Sequence, residues 1–217
     1  MSLQTLITEE VAQYLDNLHP DSSISVKELR EETNSLANAR WRLSSHACHF
    51  INLIIQLSQT KLVLEIGTFV GCSGMSIAQS LPKDGHLFTC DHNLQSLEIA
   101  QNAWQKAGVP QKITALHDDG LAVMNKFKEN NTKFDLIFVD AEKQKYFAYY
   151  TQGLEILNDQ GLMIFDNVLW HGTVADPNTT EKNGQAMREF NQKVQADSRV
   201  DSIVIPIGDG LNVIRKK

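Results

Sequence analysis

The first sixty residues carry apolar side chains at helical spacing. Phe50, Leu53, Ile54 and Leu57 form one such series, because residues three and four apart lie on the same face of a helix. The pattern predicts helices over residues 3–18, 25–34 and 45–59, and the run Asp21-Ser22-Ser23 is typical of a turn or a helix start. We therefore expect residues 1–60 to form a helical extension that packs on the rest of the fold.

A different pattern begins at Lys61, where short apolar runs alternate with longer amphipathic stretches. The short runs predict strands over residues 62–66, 86–91, 113–117, 136–140, 162–166, 203–206 and 211–215. Helical stretches between them include residues 73–79, 95–107 and 186–197. This alternation predicts an α/β fold with a mostly parallel sheet covered by helices on both faces. The run Gly208-Asp209-Gly210 is too short for a parallel crossover, so the last two strands should form an antiparallel hairpin.

Composition narrows the class of protein. The 217 residues suit one domain over residues 1–217, and 42% hydrophobic with 21% charged residues is ordinary for a globular protein. No apolar stretch approaches the ~20 residues of a membrane helix, and residues 1–10 lack the basic start and apolar run of a secretory signal. We predict a cytoplasmic protein.

Charge and cysteine content disfavour a nucleic-acid partner and a disulfide framework. The net charge of −6 disfavours a nucleic-acid partner, since proteins that bind nucleic acids usually carry a basic face. Cys48, Cys72 and Cys90 have no metal-type spacing. We expect them to be small buried hydrophobes without a disulfide framework.

The first predicted strand runs into a glycine-containing loop, Gly67-Thr68-Phe69-Val70-Gly71-Cys72-Ser73-Gly74. Glycines here let the backbone turn tightly and a ligand approach closely, although such a loop alone is also compatible with a plain strand-to-helix turn. Phe69 stands where a dinucleotide site would have its second glycine, and it would crowd a pyrophosphate. Glu65 suits a cationic ligand better than a phosphate. S-adenosylmethionine, with a sulfonium and an ammonium group, therefore fits better than NAD.

Acidic residues end the next two predicted strands. Asp91 ends the second strand, where a carboxylate accepts hydrogen bonds from ribose hydroxyls. Asp118-Asp119-Gly120 follows the third strand and would meet the adenine. Ligands of open α/β sheets bind outside the carboxyl ends of the strands, so these acids fall at the expected edge.

Two further strands both end in carboxylates. Asp140 ends one, and Asp166 with Asn167 ends the next. Either aspartate alone more often caps a helix or solvates a strand end. Together with the Asn167 amide oxygen they provide three hard oxygen ligands, which suit magnesium or a similar cation. Lys143 follows three residues after Asp140. A free lysine has a pKa of ~10.4, which a nearby cation and partial burial would lower towards that of a base.

With these residues identified, the sequence resembles the metal-dependent O-methyltransferases of the caffeoyl-CoA and catechol type, particularly their small bacterial members. The resemblance runs from about Leu29-Arg30-Glu31-Glu32-Thr33 to the last residue. Its most specific segments are Leu64-Glu65-Ile66-Gly67-Thr68-Phe69, Phe138-Val139-Asp140-Ala141-Glu142-Lys143, Asp166-Asn167-Val168-Leu169-Trp170 and Pro206-Ile207-Gly208-Asp209-Gly210. It implies a Rossmann-like class I methyltransferase fold with a seven-stranded sheet.

The resemblance also implies roles for individual residues. Asp140, Asp166 and Asn167 match the ligands of a divalent metal, and Lys143 matches the residue assigned as general base. The residues that match the S-adenosylmethionine site are Glu65, Gly67, Ser73, Asp91, Asp119 and Gly120. Members of the family are commonly homodimers that pack partly through the N-terminal helices. The expected reaction is methylation of one hydroxyl of a catechol-like molecule, with Mg²⁺, Mn²⁺ or Ca²⁺ as the cation.

Several positions depart from the family pattern, and other functions stay open. Glu142 replaces an aspartate, Cys48-His49 replaces a Gly-Gln pair, Trp41 replaces a methionine, and Lys145 also differs; these changes bear on the substrate more than on the chemistry. Trp170 and Tyr146 are candidates to hold an aromatic ring or simply to pack. The alternatives are a methyltransferase acting on hydroxylated uridine in tRNA, a donor-binding protein without catalysis, and a nicotinamide oxidoreductase.

Overall fold

Three helices precede the first strand in the computed structural model, which describes residues 7–217. They are α1 (Glu9–Leu18), α2 (Ile24–Glu32) and α3 (Ser45–Ser58). The start of the predicted 3–18 helix lies outside the described residues. Each helix begins at a hydroxyl side chain, Thr8, Ser23 or Ser44, that accepts a hydrogen bond from a backbone amide of the first turn. Such N-caps satisfy amides that have no partner within the helix.

Seven strands form a single sheet, as the apolar runs predict. They are β1 (Leu62–Ile66), β2 (His86–Asp91), β3 (Ile113–His117), β4 (Phe134–Val139), β5 (Leu157–Phe165), β6 (Val200–Ile205) and β7 (Leu211–Lys216). Their order is β3-β2-β1-β4-β5-β7-β6. β1 to β5 pair in parallel, while β7 pairs antiparallel with both β5 and β6. The mostly parallel sheet and the hairpin at its end are confirmed.

Five helices connect the strands. They are α4 (Cys72–Ser80), α5 (Leu94–Lys106), α6 (Gly120–Glu129), α7 (Tyr146–Ile156) and α8 (Lys182–Gln195). One core lies between one face of the sheet and α6, α7 and α8, with Met124, Tyr150 and Phe190 among its members. The opposite face is covered by α3 and α4, with Ile51 and Ile55 of α3 buried against it. α3 is thus part of the main core, whereas α1 has no buried residue.

Strand bounds were predicted best for the first three strands of the chain. β1, β2 and β3 have the predicted limits. β4 and β5 each end one residue earlier than predicted, so Asp140 and Asp166 are the first residues beyond their strands. β6 covers residues 200–205 instead of 203–206 because it is an edge strand whose residues 201–204 are exposed, and polar side chains there interrupt the apolar run. Within residues 7–217, none of the helices combines the length and the apolar character needed to cross a bilayer.

Candidate active site

The loop after β1 lies against the residue that follows β4. Gly67 has a φ of +98°, and a Cβ atom there would lie 2.0 Å from the carbonyl oxygen of Asp140. The Asp140 amide donates to the carbonyl of Ile66 at 2.9 Å. Only glycine allows this contact without displacing the backbone. The predicted donor loop and the predicted metal ligand Asp140 therefore meet at one edge of the sheet.

Glu65, predicted to bind the donor, is fully buried at the end of β1. Its Oε2 atom accepts a hydrogen bond of 2.6 Å from Thr89, whereas its Oε1 atom is buried with no partner. Burial raises the pKa of Glu65 to about 7, although hydrogen bonds from Ser73 and Thr89 act in the opposite direction. Ser73 lies in the first turn of α4. A buried carboxylate oxygen without a partner fits a cationic group.

Replacing Glu65 by glutamine is expected to change how stability depends on pH. Glu65 loses its proton near the ordinary pKa of 4.5 when unfolded and near 7 when folded. The native state therefore binds more protons between these values, and stability falls as pH rises through them. The variant lacks this loss, so above pH 7 it should be more stable than wild type by up to about 3 kcal/mol.

Urea unfolding of both proteins from pH 4.5 to 8 measures this difference. Glu98→Gln, at an exposed position of α5, is the matched control and should show no such trend. A difference between the Glu65 variant and wild type that stays constant with pH would contradict the interpretation of this buried carboxylate.

Asp91 holds the loop after β1. Its Oδ2 atom accepts hydrogen bonds from the amides of Thr68 and Phe69 at 3.1 and 2.8 Å, and its Oδ1 atom accepts one from Asn93. A carboxylate has about four acceptor positions, so ribose hydroxyls can share this group. The sequence did not reveal that Asp91 also shapes the loop.

Asp119 and Gly120 begin α6 beside this site. The Asp119 carboxylate caps the helix by accepting from the amides of Leu121 and Ala122, and it lies 3.1 Å from Lys145 Nζ. Gly120 packs closely, because a Cβ atom there would lie 2.6 Å from Ile66. Close packing against Ile66 therefore explains why residue 120 is a glycine. Of these two predicted donor-binding residues, Asp119 is the one that has a side chain to contact a ligand.

Asp140, Asp166 and Asn167 lie together at the ends of neighbouring strands. The Asp166 side chain is buried, and its Oδ1 atom accepts from the Asn167 amide at 2.7 Å. Burial, together with the charge of Asp140, raises the pKa of Asp166 to about 7. A buried carboxylate whose ionisation a neighbouring acid disfavours fits a hard divalent cation with oxygen ligands. Across residues 7–217, no three His, Cys, Asp or Glu side chains form a metal cluster; the third ligand of this set would be the Asn167 amide.

Lys143 is buried beside this pair. Its Nζ atom lies 2.9 Å from Asp140 Oδ1 and 2.7 Å from the hydroxyl of Tyr146. Burial alone lowers the pKa of Lys143, but Tyr146 and Asp140 outweigh burial and raise the pKa above its ordinary value. The expectation of a lowered pKa applies to a lysine beside a bound cation, and it stays a prediction; without a cation, the pKa is raised because the lysine has a carboxylate partner at hydrogen-bond distance.

The two aromatic candidates differ in position. Tyr146 is fully buried, and its hydroxyl donates to the carbonyl of Asp166 at 2.9 Å. It therefore packs beneath the site residues in the core, and its ring is not accessible to a substrate. Trp170 is partly buried and packs against the core. Trp41, by contrast, is 57% exposed, with its ring centroid 5.9 Å from that of Phe69 at the donor loop.

Two residues that sequence reasoning did not assign hold the segment after Asp166 in place. Asp209 accepts from the His171 amide at 2.7 Å through its Oδ1 atom, and its carbonyl accepts from the Leu169 amide. Asn191 of α8 donates to the carbonyl of Val168 at 2.9 Å. The acid flanked by glycines at residues 208–210 was a visible feature of the sequence. Asn191 gave no comparable indication, because its partner is far away along the chain.

Comparison with known proteins identifies close relatives in sequence. A family model described as O-methyltransferase matches residues 17–217. Caffeoyl-CoA O-methyltransferase 1 of Zea mays is 33% identical, over 97% of this chain and 86% of its own length. Caffeoyl-CoA O-methyltransferase 5 of Nicotiana tabacum is 32% identical, over 97% of this chain and 92% of its own length.

Solved structures share the fold. The O-methyltransferase TomG of Streptomyces achromogenes, involved in tomaymycin synthesis and solved in complex with SAM, superposes with a TM-score of 0.87 at 24% identity over 97% of this chain and all of that one. The O-methyltransferase of Bacillus cereus, solved in complex with SAH, has a TM-score of 0.85 at 25% identity over 96% of this chain and 97% of that one.

Proposed function

This chain belongs to the O-methyltransferase family and is of its caffeoyl-CoA type, and on that premise we propose that it methylates one hydroxyl of a catechol-like small molecule with the help of a divalent cation. S-adenosylmethionine is the methyl donor. The observation that carries the proposal is the grouping of Asp140, Lys143 and Asp166 at the sheet edge where the loop after β1 contacts Asp140. A donor site and a proton acceptor are thereby neighbours.

The donor end of the proposal rests on charge and space. The unpartnered Oε1 atom of Glu65 suits the ammonium group of the donor, and Gly67 and Ser73 are assigned to the same donor site. Asp91 accepts from the ribose hydroxyls, and Asp119 lies on the adenine side. The relative from Bacillus cereus that was solved with SAH supports a donor of this chemistry.

The metal end of the proposal assigns Asp140, Asp166 and Asn167 as the ligands, with Mg²⁺ the most suitable ion and Mn²⁺ or Ca²⁺ as alternatives. When bound, the cation acidifies a hydroxyl that it coordinates. The chain supplies two carboxylates whose mutual repulsion the cation relieves. The raised pKa of Asp166, caused first by burial and then by the charge of Asp140, supports this assignment because a cation would favour the ionised carboxylate.

Lys143 takes the hydroxyl proton at its Nζ atom. In the absence of a cation, Asp140 keeps Lys143 protonated. When the Asp140 carboxylate no longer interacts with Lys143, the pKa of Lys143 falls. Its amine can then lose its proton and accept one from the substrate. The acceptor oxygen then bonds to the methyl carbon as the carbon–sulfur bond breaks. The rate gain comes from positioning and electrostatics.

An aromatic acceptor is supported by the side chains at the mouth of the site. Trp41 is exposed next to Phe69, and Trp170 lies on the segment after Asp166. A flat ring with vicinal hydroxyls would offer oxygen ligands to a bound cation and its face to such side chains. Trp41 replaces a methionine common in the family, so it is the first position to test for acceptor preference.

We also propose that the protein is a homodimer that packs through its N-terminal helices. Large apolar side chains are exposed on α1, α2 and α3, and they include Tyr14 at 62%, Ile24 at 76% and Leu57 at 72%. Exposed apolar groups of this size are typical of an interface when they form a contiguous patch. A sedimentation mass equal to one chain would contradict the dimer.

A cytoplasmic location completes the proposal. The three cysteines, Cys48, Cys72 and Cys90, are buried and free. Free thiols are usual where glutathione and thioredoxin keep cysteines reduced. Separation of a cell lysate into membrane, soluble and secreted fractions, with detection of the native protein, tests this assignment.

Methyl transfer to caffeic acid in the presence and absence of metal tests the central proposal. Turnover from labelled S-adenosylmethionine should be lost with EDTA and restored by excess Mg²⁺. The control is donor binding, measured by calorimetry in both conditions, which should change little because Glu65 and Asp91 are not metal ligands. Full turnover in EDTA would refute the metal-assisted reaction. Donor binding without turnover would point to another class of acceptor.

A further inference from the structure

Lys145 bridges two carboxylates at the edge of the candidate donor site. Its Nζ atom lies 3.1 Å from Asp119 Oδ2 and 3.0 Å from Glu142 Oε2. These hydrogen bonds, with Glu142 the stronger influence, raise the pKa of Lys145 above its ordinary value, so the side chain is a cation at neutral pH. We call these three residues the acid–lysine triad. No step proposed above uses Lys145 or Glu142.

The triad contains two of the positions at which this sequence departs from the family pattern. Glu142 stands where an aspartate is usual, and Lys145 also differs. Glu142 caps the short 3₁₀ turn Lys143–Lys145, and the Lys145 amide donates to the Glu142 carbonyl at 3.0 Å. Because the two side chains also form an ion pair, the two departures make one local feature of this chain.

The two oxygens of Asp119 have different partners. The Oδ1 atom accepts from the amides of Leu121 and Ala122 at 2.9 and 3.2 Å, which fixes the carboxylate at the start of α6. The Oδ2 atom accepts from Lys145. Although partial burial acts in the opposite direction, hydrogen bonds from Lys145 and Ala122 lower the pKa of Asp119. A carboxylate oxygen has two acceptor positions, so Oδ2 can accept a further hydrogen bond from a ligand.

We propose that Asp119 and Lys145 together recognise the adenine edge of the methyl donor, with Asp119 accepting from the 6-amino group and Lys145 donating to the adjacent ring nitrogen. The proposal rests on the donor site described above, in which Asp119 lies on the adenine side. Adenine presents an amino donor beside a ring-nitrogen acceptor, and the side chain of an asparagine or glutamine reads that pair with one acceptor and one donor. Here Asp119 and Lys145, 3.1 Å apart, supply the same two groups.

Glu142 makes Lys145 suitable for this role. An ammonium group has three N–H donors, and the two carboxylates of the triad take two of them, which leaves one for a ligand. The Lys145 side chain is 37% exposed, and one ion pair at such a position restrains a long side chain only weakly. A second carboxylate from the same turn restricts the ammonium group further. Lys145 is therefore a binding residue, and Glu142 is a positioning residue that acts through it.

Calorimetry with S-adenosylhomocysteine and two analogues tests the proposal. In one analogue a C–H group replaces N1 of the adenine, and in the other it replaces N7. Wild type should bind one of the two at least about fivefold more weakly than S-adenosylhomocysteine, because one hydrogen bond is lost. Lys145→Met should bind S-adenosylhomocysteine about fivefold more weakly than wild type and should no longer distinguish it from that analogue. Glu142→Gln should lose part of the same preference.

The preference between ligands separates recognition from a general structural effect, which would weaken S-adenosylhomocysteine and both analogues alike. Lys128→Met is the matched control, because Lys128 of α6 forms a partly exposed ion pair of 2.8 Å with Glu155 of α7. It should retain both the affinity and the preference of wild type. Thermal unfolding checks that each variant is folded.

Asp119→Asn distinguishes failure of this proposal from failure of the donor site, since asparagine still caps α6 but turns an amide group towards the adenine. If Asp119→Asn weakens S-adenosylhomocysteine binding and Lys145→Met does not, the donor site stands and the role of Lys145 is refuted. If neither variant weakens binding, the adenine does not lie at Asp119 and both assignments are wrong. Equal binding of both analogues and S-adenosylhomocysteine by wild type would also overturn the proposal.

Discussion

Replacing Asp166 by asparagine should lower kcat/KM for methyl transfer by at least about 10³-fold, equivalent to about 4 kcal/mol of transition-state stabilisation. Asparagine keeps the size of the side chain and its bond to the Asn167 amide, but it removes one of the two carboxylates. A site with a single charge holds a divalent cation more weakly. Because Glu65 and Asp91 are unchanged, the Kd for S-adenosylmethionine should stay within a few-fold of wild type.

Steady-state kinetics and donor calorimetry on the same preparation measure both quantities. Asp176→Asn is the matched control, since Asp176 is exposed in the segment before α8 and should retain activity. Higher Mg²⁺ should recover part of the lost rate in Asp166→Asn. Activity of Asp166→Asn within tenfold of wild type at ordinary Mg²⁺ would show that this carboxylate is not required.

Replacing Lys143 by glutamine should lower kcat by about 10²–10⁴-fold with little change in KM for the donor, because a positioned proton acceptor contributes on that scale. Glutamine keeps a polar group near Asp140 and Tyr146 but cannot take a proton. Lys143→Arg should be equally impaired, since a guanidinium keeps the charge and cannot act as a base.

The comparison of these two variants separates a base from a fixed charge. If Lys143→Arg retains most of the activity while Lys143→Gln does not, the lysine acts through its charge alone. Lys182→Gln, at an exposed position at the start of α8, is the control. The pH profile of kcat is the further measurement: the limb assigned to Lys143 should be absent from both variants at position 143.

The sequence predicted the sheet well because its strands are short apolar runs bounded by polar or glycine residues. β1 to β3 are clear examples. β4 and β5 begin at Phe134 and Leu157, earlier than the predicted residues 136 and 162, and each ends one residue before the predicted aspartate. Asp140 and Asp166 still donate their amides to the carbonyls of Ile66 and Val139 although they lie beyond the strands. The polar edge strand β6 carries too little periodicity for its start to be read.

Prediction of the site succeeded for residues that follow strands and stopped at contacts between distant segments. Asp140 and Asp166 were expected to be neighbours, since parallel strands end at the same edge. The loop-holding role of Asp91 and the link from Asn191 to Val168 depend on packing between segments that are far apart in sequence. No local pattern encodes them.

The position of α3 has a consequence for recombining this protein with its relatives. Along the sequence, residue 60 looks like a natural boundary between a helical extension and a sheet. In the folded chain, Ile51 and Ile55 complete the core that includes Val63, Leu136 and Phe138. A chimera joined at residue 60 would therefore pair an α3 from one parent with a sheet face from another, and each side chain would meet a surface that did not evolve with it. A crossover between α2 and α3 would keep this sheet face together with the α3 helix of the same parent.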